Sequence, residues 1–479
     1  MSPLHCVPYH SHGALCQDLA AFPRGVLLGD GLCDQTFLTL EQPGERTQAF
    51  IAQQVMSLRP NLHQQYVQAC QNLGQSENPF IAHVLQEADK NGETWSNGIT
   101  IKIAGNNHLV PVQRVTDDDL QALTSVLHNT VSVTGLDLRF NLLTDAGGKH
   151  MAKFLENNST LRYLNLMLND IGTRGAVLIA EALRKNKTLL HLRMTGNKIG
   201  RQGGLAFATM LPSNSTLERL DLGDCDLDTE CLIALATALN LNQSVKAINL
   251  NRPLLHSQRE ETTVHVALTL KINSSLLELH LGKHEMKNFG VQQLCEALYM
   301  NSTLRYLDLS CNKITCDGIK FLAKLLKWND TLQILDLNAN RIEDDGAIYL
   351  SEALASYNNT LQALSVTSNK ICGKGLLALS DAMKRNTELS YIYIWGNTFD
   401  EATCMAYSEL LQTGRLKPNC TDVEPFEVDG HIHLAELSHG LKKHYYWTPS
   451  FGEEMDKDAN ASLAIAPVSE NLARCTSCP

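Results

Sequence analysis

The feature that most constrains this chain is a pattern of leucines that returns about every 28 residues. Leu161–Asn169 reads L-R-Y-L-N-L-M-L-N and, with Ile171, gives L-x-x-L-x-L-x-x-N-x-I. Counted from its first apolar position, the pattern restarts at Val133, Leu161, Leu189, Leu217, Val245, Leu276, Leu304, Leu332, Leu361 and Leu389. Units held in one register predict a repeat architecture, in which each unit packs against its neighbours.

The hydrophobic period changes within each unit. Alternation over residues 304–309 predicts a short strand, and apolar residues at i, i+3, i+4 and i+7 within 176–183 predict a helix. One strand and one helix per unit share an apolar side that only stacking can bury. The sequence therefore predicts an α/β solenoid shaped as a horseshoe, with a parallel sheet on the concave face and helices on the convex face.

The flanks of the repeats define the predicted domains. Residues 1–44 show no periodicity and are predicted to be disordered, whereas 45–94 show helical spacing and are predicted to cap the first unit. The repeat domain is assigned to 95–415, with ten regular units from 133 and a degenerate one around Ile101, Ile103 and Asn106. Residues 416–449, with a helical run over Leu434–His444, form the predicted C-terminal cap, and 450–479 form a flexible tail.

Asparagine recurs at two positions of the unit. At the ninth position, its side chain can donate to and accept from turning backbone, which predicts a structural ladder of Asn141, Asn169, Asn197, Asn312, Asn340, Asn369 and Asn397. A second asparagine, such as Asn186, precedes most strands and has Ser or Thr two residues later. These triplets match glycosylation acceptors, but their fixed place after a helix favours helix-ending residues that tolerate left-handed backbone.

Composition excludes some classes of protein. A formal net charge of −11 argues against nucleic-acid binding through bulk positive charge. The 14 cysteines form no disulfide-type framework, and Cys475 and Cys478 are a lone C-x-x-C pair, so no metal and no cofactor are predicted. Residues 1–30 lack a charged segment followed by an apolar run, and no window reaches the apolar length of a membrane span. We expect a protein of the cytoplasm or nucleus that is neither secreted nor membrane-bound.

The unit also carries a family resemblance. L-x-x-L-x-L-x-x-N-x-I, followed by Gly175 and a helix ending in Ala182–Thr188, resembles the ribonuclease-inhibitor class of leucine-rich repeats over about 95–415. Five less regular stretches resemble one particular member of that class more closely. They are His191–Asn197, Leu222–Leu227, Ala247–Pro253, Tyr393–Asn397 and Gly440–Trp447. The resemblance implies a leucine-rich repeat solenoid and an intracellular protein that binds other proteins without catalysis.

The strand positions between the leucines are the predicted binding surface, because a rigid scaffold holds them on the concave face. The predicted partner-binding residues are Arg162, Tyr163, Arg193, Arg219, Asp221, Arg305, Tyr306, Asp308, Tyr391, Tyr393 and Trp395. The last three alternate along one strand and allow two interpretations: anchors of an interface, or contacts of the C-terminal cap. The acidic net charge fits one or more partner proteins with a basic surface.

The unit that begins at Val245 is irregular. It has Pro253 in the asparagine position and three extra residues near 256–261, and the next unit has His284 in that position. Both breaks are expected to interrupt the asparagine ladder. The extra loop is either a contact or bend site, or tolerated variation in loop length.

Motifs of nucleophilic, zinc-dependent and phosphate-binding catalysis are missing from the sequence. We therefore predict that the chain is not an enzyme but a scaffold or adaptor for protein–protein interaction. The resemblance leaves one alternative, a GTPase-activating or ribonuclease-inhibitor-like regulator of a partner enzyme. Oligomeric state does not follow from the sequence.

Overall fold

The computed structural model describes residues 61–90, 98–107, 110–128, 130–255 and 260–437. All of them belong to one compact unit, Pro60–Pro479. The predicted segments 1–44 and 450–479 lie outside the described residues, as do parts of the two predicted caps.

Eleven strands form a single sheet in chain order, and every neighbouring pair is parallel. Their bounds are β1 Ile99–Lys102, β2 Val133–Asp137, β3 Tyr163–Asn165, β4 His191–Arg193, β5 Arg219–Asp221, β6 Ala247–Asn249, β7 Glu278–His280, β8 Tyr306–Asp308, β9 Ile334–Asp336, β10 Ala363–Ser365 and β11 Tyr391–Tyr393. The sheet confirms the predicted α/β repeat solenoid, and β1 is the strand of the degenerate unit.

A helix follows each strand. After α1 Leu62–Leu73 and α2 Pro79–Lys90, the helices are α3 Asp117–Leu127, α4 Asp145–Asn157, α5 Thr173–Lys185, α6 Gly200–Met210, α7 Thr229–Leu239, α8 Glu261–Ile272, α9 Asn288–Leu298, α10 Cys316–Leu326, α11 Glu343–Ser356, α12 Gly373–Arg385 and α13 Glu401–Gln412. Helix α1 contributes Tyr66, and α2 contributes Phe80 and Ile81, to the core that runs through all the repeats. The two helices thus bury apolar surface next to the first units.

The C-terminal flank differs from its prediction. Helix α13 is followed by a hairpin of β12 Val423–Val428 and β13 His431–Glu436, so the predicted helix over Leu434–His444 is wrong for the described part of that segment. Asp429 and Gly430 form the two-residue turn with φ of 52° and 82°. Positive φ at both turn residues is the type I′ geometry that suits the twist of a hairpin, and it favours a sequence such as Asp-Gly.

One backbone conformation turns each strand toward its helix. The residue just before the ninth position has positive φ in all ten regular units, as in Asp224 at 53°, Gly196 at 78° and Gly396 at 76°. At Gly196 a Cβ atom would lie 2.5 Å from Leu168 of the preceding unit, so both the turn and the close approach favour glycine there.

Candidate partner-binding face

Strand residues that alternate with the core leucines line the face of the sheet opposite the helices, which we call the inner face. Its central column is the fifth position of each unit. The column consists of Asp137, Asn165, Arg193, Asp221, Asn249, His280, Asp308, Asp336, Ser365 and Tyr393, and all ten are buried. This column is therefore a buried polar row.

The acidic and amide residues of the column support the turn after each strand. The Asp221 Oδ1 atom accepts from the backbone N–H of Gly223 at 3.2 Å, and Asp308 Oδ1 accepts from Ser310 N–H at 2.9 Å. The same bond, to the residue two positions later, is made by Asp137, Asn165, Asn249 and Asp336. This Asx-turn bond gives Asp221 and Asp308 a structural role that the sequence reasoning missed. The recurring L-D-L and L-N-L strings were the signal.

Arg193 pairs with the neighbouring member of the column. Its Nε and Nη2 atoms each lie 3.4 Å from Asp221 Oδ2, and the Thr195 hydroxyl donates to Asp221 Oδ1. Both side chains of the ion pair are at most 1% exposed. A buried pair of this kind has costly desolvation, which its hydrogen bonds offset.

A second buried network centres on His280, which the sequence reasoning did not select. Its Nε2 atom lies 2.5 Å from Glu278 Oε1, and its Nδ1 atom lies 3.1 Å from Asp308 Oδ2. Burial disfavours the charged ring, but hydrogen bonds to Asp308 and Glu278 more than offset that and raise the pKa of His280 to about 10. Tyr306 packs edge-on against the imidazole, with ring centroids 4.9 Å apart. His280 is thus held as an imidazolium between two carboxylates.

Most of the aromatic residues of the predicted site are buried. Tyr163, Tyr306, Tyr391 and Tyr393 are buried, and Trp395 is half-buried with its ring centroid 5.7 Å from that of Phe399.

The C-terminal flank reaches the last strand through Asp422. Its carboxylate accepts from the N–H groups of Ile394 at 2.8 Å and Trp395 at 3.0 Å. In other units the equivalent N–H donates to a carbonyl of the next strand, as Val366 N–H does to Tyr393 O at 2.9 Å. Asp422 therefore supplies the acceptors that a further parallel strand beyond β11 would supply. This agrees with the interpretation of the C-terminal flank as a cap.

Apart from Lys102 on the edge strand β1, which pairs with Asp137 of β2 in the sheet, the exposed charged residues of the inner face lie at its two rims. The rim where strands begin carries Arg162, Lys246 and Arg305, which are exposed, and Glu218, which bonds Lys246 at 2.7 Å. Of the other predicted residues, Arg219 is half-buried. The rim where strands end carries exposed Asp224, Arg252 and Lys283, with an Arg252–Asp224 distance of 3.1 Å. Within the described residues Arg162, Arg305 and Lys283 form no salt bridge, so the two rims leave three basic groups uncompensated.

The ladder asparagines bridge adjacent units. Asn197 donates to the carbonyls of Leu166 at 2.7 Å and Met194 at 2.8 Å, and its oxygen accepts from Ile171 N–H. Comparable bonds are made by Asn141, Asn169, Asn312, Asn340, Asn369 and Asn397. These bonds satisfy backbone groups that the turns would otherwise leave buried and unpaired.

At His284 the ladder is disturbed less than expected, whereas the Pro253 side chain has no donor that could replace the asparagine. The His284 Nε2 atom lies 2.9 Å from Leu250 O, and burial lowers the pKa of His284 to about 4, so the neutral ring donates as asparagine would. Cys225 does the same through its thiol to Met194 O at 3.2 Å. Of the extra loop, 256–259 lie outside the described residues. Glu260 beside it accepts from the N–H groups of Lys287 and Gly290, at the start of α9.

Substitution of one ladder residue should be measurable. We expect Asn197→Ala to lower the free energy of unfolding by about 2 kcal/mol, because the Ile171 N–H loses its acceptor and the carbonyls of Leu166 and Met194 each lose one hydrogen bond. Denaturant unfolding followed by circular dichroism measures the change. The neighbouring exposed residue supplies the control: Lys198→Ala should stay within about 0.5 kcal/mol of wild type. Equal stability of the two variants would contradict the assigned role.

The asparagines that precede the strands are structural, but not for the predicted reason. Asn158 and Asn186 have φ of −90° and −65° with ψ of 133°, which is extended backbone and not left-handed. The Asn186 amide donates to Leu155 O at 2.8 Å and accepts from Leu189 N–H at 2.8 Å. Because both ends of this buried amide are used inside the fold, the side chain is not presented to a glycosylating enzyme.

In the part of the chain that the structure describes, every helix is too short or too polar to span a membrane. That part also contains no group of three or more His, Cys, Asp or Glu side chains that could hold a metal ion. Cys475 and Cys478 lie outside it.

Comparison with known proteins agrees with the architecture. The leucine-rich repeat family model matches residues 157–180, 185–208, 213–236, 301–323, 329–351 and 357–380. These matches leave out 237–300, which contains Pro253 and His284. Among solved structures, the Rad7–Elc1 complex of yeast covers 76% of this chain and 88% of its own at 13% identity and a TM-score of 0.42. An internalin of Listeria monocytogenes covers 74% of this chain and 95% of its own, at 16% identity and a TM-score of 0.36. Likeness at that level carries no functional argument.

The repeats and their single parallel sheet define a leucine-rich repeat protein. Leucine-rich repeat-containing protein 34 of Homo sapiens is 59% identical over 423 residues, covering 88% of this chain and 91% of the human protein. The Mus musculus protein of that name is 56% identical over 412 residues, covering 86% of this chain and 99% of the mouse protein. The chain belongs to the leucine-rich repeat-containing protein 34 family.

Proposed function

We propose that the chain is a non-enzymatic scaffold or adaptor that binds partner proteins on the inner face of its sheet. The single observation that carries the proposal is the exposed charge at the two rims, next to the ends of strands whose backbone is fixed on both sides by neighbouring strands. Rigid, extended presentation of side chains is how solenoids recognise partners. Leucine-rich repeat proteins as a family are typically interaction scaffolds.

The site of contact is narrower than the one proposed from sequence. Of the eleven predicted residues, Arg162 and Arg305 are exposed, Arg219 and Trp395 are half-buried, and the others are buried. We assign direct contact to the exposed rim residues. The buried charges hold the shape of the face between the rims.

The partner surface that we propose also differs from the one predicted from the sequence. The net charge of the chain predicts a partner with a basic surface, but net charge averages over the whole molecule. The two rims carry five basic and two acidic residues, and the two acidic ones are paired within the rims. An acidic surface on the partner therefore complements this face better.

We place the protein in a reducing compartment, the cytoplasm or the nucleus. Cys225 and Cys231 donate as thiols to Met194 O and Arg201 O. Burial raises the pKa of the Cys231 thiol to about 12 and that of the Cys225 thiol well above its usual value. Thiols that pack and bond in this way suit a compartment without disulfide formation.

Charge reversal on the rims tests the proposal. We expect R162E/K283E/R305E to lose proteins that the wild-type chain captures from native lysate, with affinity for a purified partner falling at least tenfold. The matched control, R184E/K374E/R385E, makes the same charge change at exposed helical residues and should retain them. If both triple variants retain the same partners with equal affinity, the inner face is not the binding surface.

A further inference from the structure

At one junction between neighbouring units, the ladder position holds a side chain that cannot form hydrogen bonds. The junction lies between the units of β5 and β6, and it is called the Pro253 junction because Pro253 occupies the ladder position of the β6 unit. In a regular unit the ladder asparagine bonds a carbonyl and an N–H group of the preceding unit, as Asn197 does with Leu166 O and Ile171 N–H. A proline side chain can make neither bond.

Two buried backbone groups lack a partner at the Pro253 junction. In the β5 unit the equivalent groups are the carbonyl of Leu222 and the N–H of Leu227, and both residues are 1% exposed. Within the described chain neither group forms a hydrogen bond. The β5 unit cannot bond that carbonyl from its own ladder position either, because the Cys225 thiol donates to Met194 O. Buried polar groups without partners destabilise the closed arrangement of the two units.

The helical side of the junction also lacks a polar link that some other junctions have. Asp145, in the first turn of α4, accepts from the N–H groups of Gly172 at 2.9 Å and Gly175 at 2.7 Å, at the start of α5. In the described part of the chain, no side chain of α7 bonds the start of α8 in this way. The two helices are linked farther along, where the Thr269 hydroxyl donates to Ala236 O at 2.7 Å.

Two exposed ion pairs cross the Pro253 junction, one on each rim of the inner face. Glu218 of the β5 unit pairs with Lys246 of the β6 unit at 2.7 Å on the rim where strands begin. Asp224 pairs with Arg252 at 3.1 Å on the rim where strands end. The four side chains are between 34% and 55% exposed, so water and salt weaken both pairs. Beyond the backbone bonds of the sheet, exposed charge therefore closes this junction on the inner face.

We propose that the Pro253 junction is a conformational switch, which the two ion pairs hold closed and which an acidic partner opens by binding Lys246 and Arg252. The proposal rests on the proposed function, because both residues belong to the basic rims. Carboxylates of the partner compete with Glu218 and Asp224 for the same cations. Since opening separates the ion pairs, the partner binds the open state more tightly and shifts the equilibrium toward it. The repeats before and after the junction then move as two blocks.

Hydrogen exchange of the full chain, followed by mass spectrometry, measures the opening. The amides of Leu222 and Asp224 donate across the Pro253 junction to the β6 unit. The amides of Leu309 and Cys311 are their equivalents at the junction of β8 and β9, which Asn340 bridges. We expect the first two amides to exchange about tenfold faster than the second two, because opening at the Pro253 junction costs less.

Removal of the ion pairs should favour the open state. E218Q/D224N should speed exchange at Leu222 and Asp224 by about threefold or more, and leave the junction of β8 and β9 within about twofold of wild type. E285Q is the matched control, because it removes the exposed Lys313–Glu285 pair at the junction of β7 and β8, which Asn312 bridges. Exchange at Leu281, whose amide crosses that junction, should change by less than about twofold.

Restoring the ladder should have the opposite effect. P253N supplies a donor for the Leu222 carbonyl and an acceptor for the Leu227 N–H, so exchange across the junction should slow by about tenfold. Binding of an acidic probe should speed it. With a poly-glutamate peptide of about 12 residues bound to the wild-type chain at low salt, exchange at Leu222 and Asp224 should rise by about threefold or more. Fluorescence anisotropy of the labelled peptide measures binding.

Four results would overturn the proposal. They are equal exchange at the two compared junctions in wild type, exchange that E218Q/D224N leaves unchanged, equal acceleration at both junctions in that variant, and bound peptide without faster exchange. A peptide that does not bind contradicts the proposed function as well. The R162E/K283E/R305E variant keeps both ion pairs of the Pro253 junction, so its capture result judges the proposed function independently of the switch.

Discussion

At pH 4, Asp422→Ala should lower the free energy of unfolding by about 4 kcal/mol, because two N–H groups at the end of β11 lose their acceptor inside the protein. The loss should begin at the C-terminal end, since each unit of a solenoid is stabilised by its neighbours. Hydrogen exchange should show faster exchange at Ile394 and Trp395 before the middle units respond. Asp422→Asn keeps one acceptor oxygen and should cost about 1 kcal/mol.

The same residue predicts a pH dependence. Burial raises the pKa of Asp422 to about 6, above the value of about 3.9 for an unfolded aspartate. The folded state therefore binds this proton more readily, so its contribution to stability is fully present below pH 4 and is lost as pH rises through 6. The difference in unfolding free energy between wild type and D422N should change by up to about 3 kcal/mol across that window. A constant difference, or equal stability of D422A and wild type, would contradict the capping role.

His280→Leu should also be strongly destabilising, by about 4 kcal/mol at neutral pH, since it leaves Glu278 and Asp308 as buried carboxylates without their cation. Adding Glu278→Leu to this variant should recover part of the loss, because one uncompensated charge is then removed. Denaturant unfolding of the single and double variants measures both effects. Recovery by the second substitution separates charge from packing, which a single substitution cannot do.

The pH dependence at His280 has a different window. The pKa of about 10 lies above the value of about 6.5 for an unfolded histidine. The stabilisation from its charge is fully present below pH 6.5 and is lost as pH rises through 10. We expect the imidazole resonances of His280 to report the charged ring at pH 8, and wild type to lose stability toward pH 10 faster than H280L. A neutral ring at pH 8, or a loss below about 1 kcal/mol in H280L, would refute the assignment.

The repeats could be predicted from sequence because periodicity reports local packing directly. The ten regular units and the strand around Ile101 follow from leucines that each unit buries in the same way. Recognition of one particular family rested on irregular strings such as Ala247–Pro253, which consensus leucines do not supply.

Burial on the inner face could not be predicted, because periodicity tells which side of a strand a residue faces and not what surrounds it. Arg193, Asp221 and His280 are inward-facing positions that the pattern describes as binding surface. They are nevertheless buried in ion pairs, Arg193 with Asp221 and His280 with two carboxylates. A row of exposed apolar residues that precede the strands was missed for a related reason, namely Leu241, Ile272, Met300, Trp328 and Tyr357. Leu241 and Trp328 follow helices as single apolar residues, and only the stacking of units aligns them.

Site-specific photo-crosslinking in cells tests the central claim, that partners bind the inner face through its exposed rims. A photoreactive residue is placed in turn at Arg162, Lys283 and Arg305, and, for comparison, at the exposed helical positions Arg184, Lys374 and Arg385. The account predicts that the same partner protein is crosslinked from at least two of the rim positions and from none of the helical ones. Crosslinking of that partner from the helical positions, with none from the rims, would contradict it.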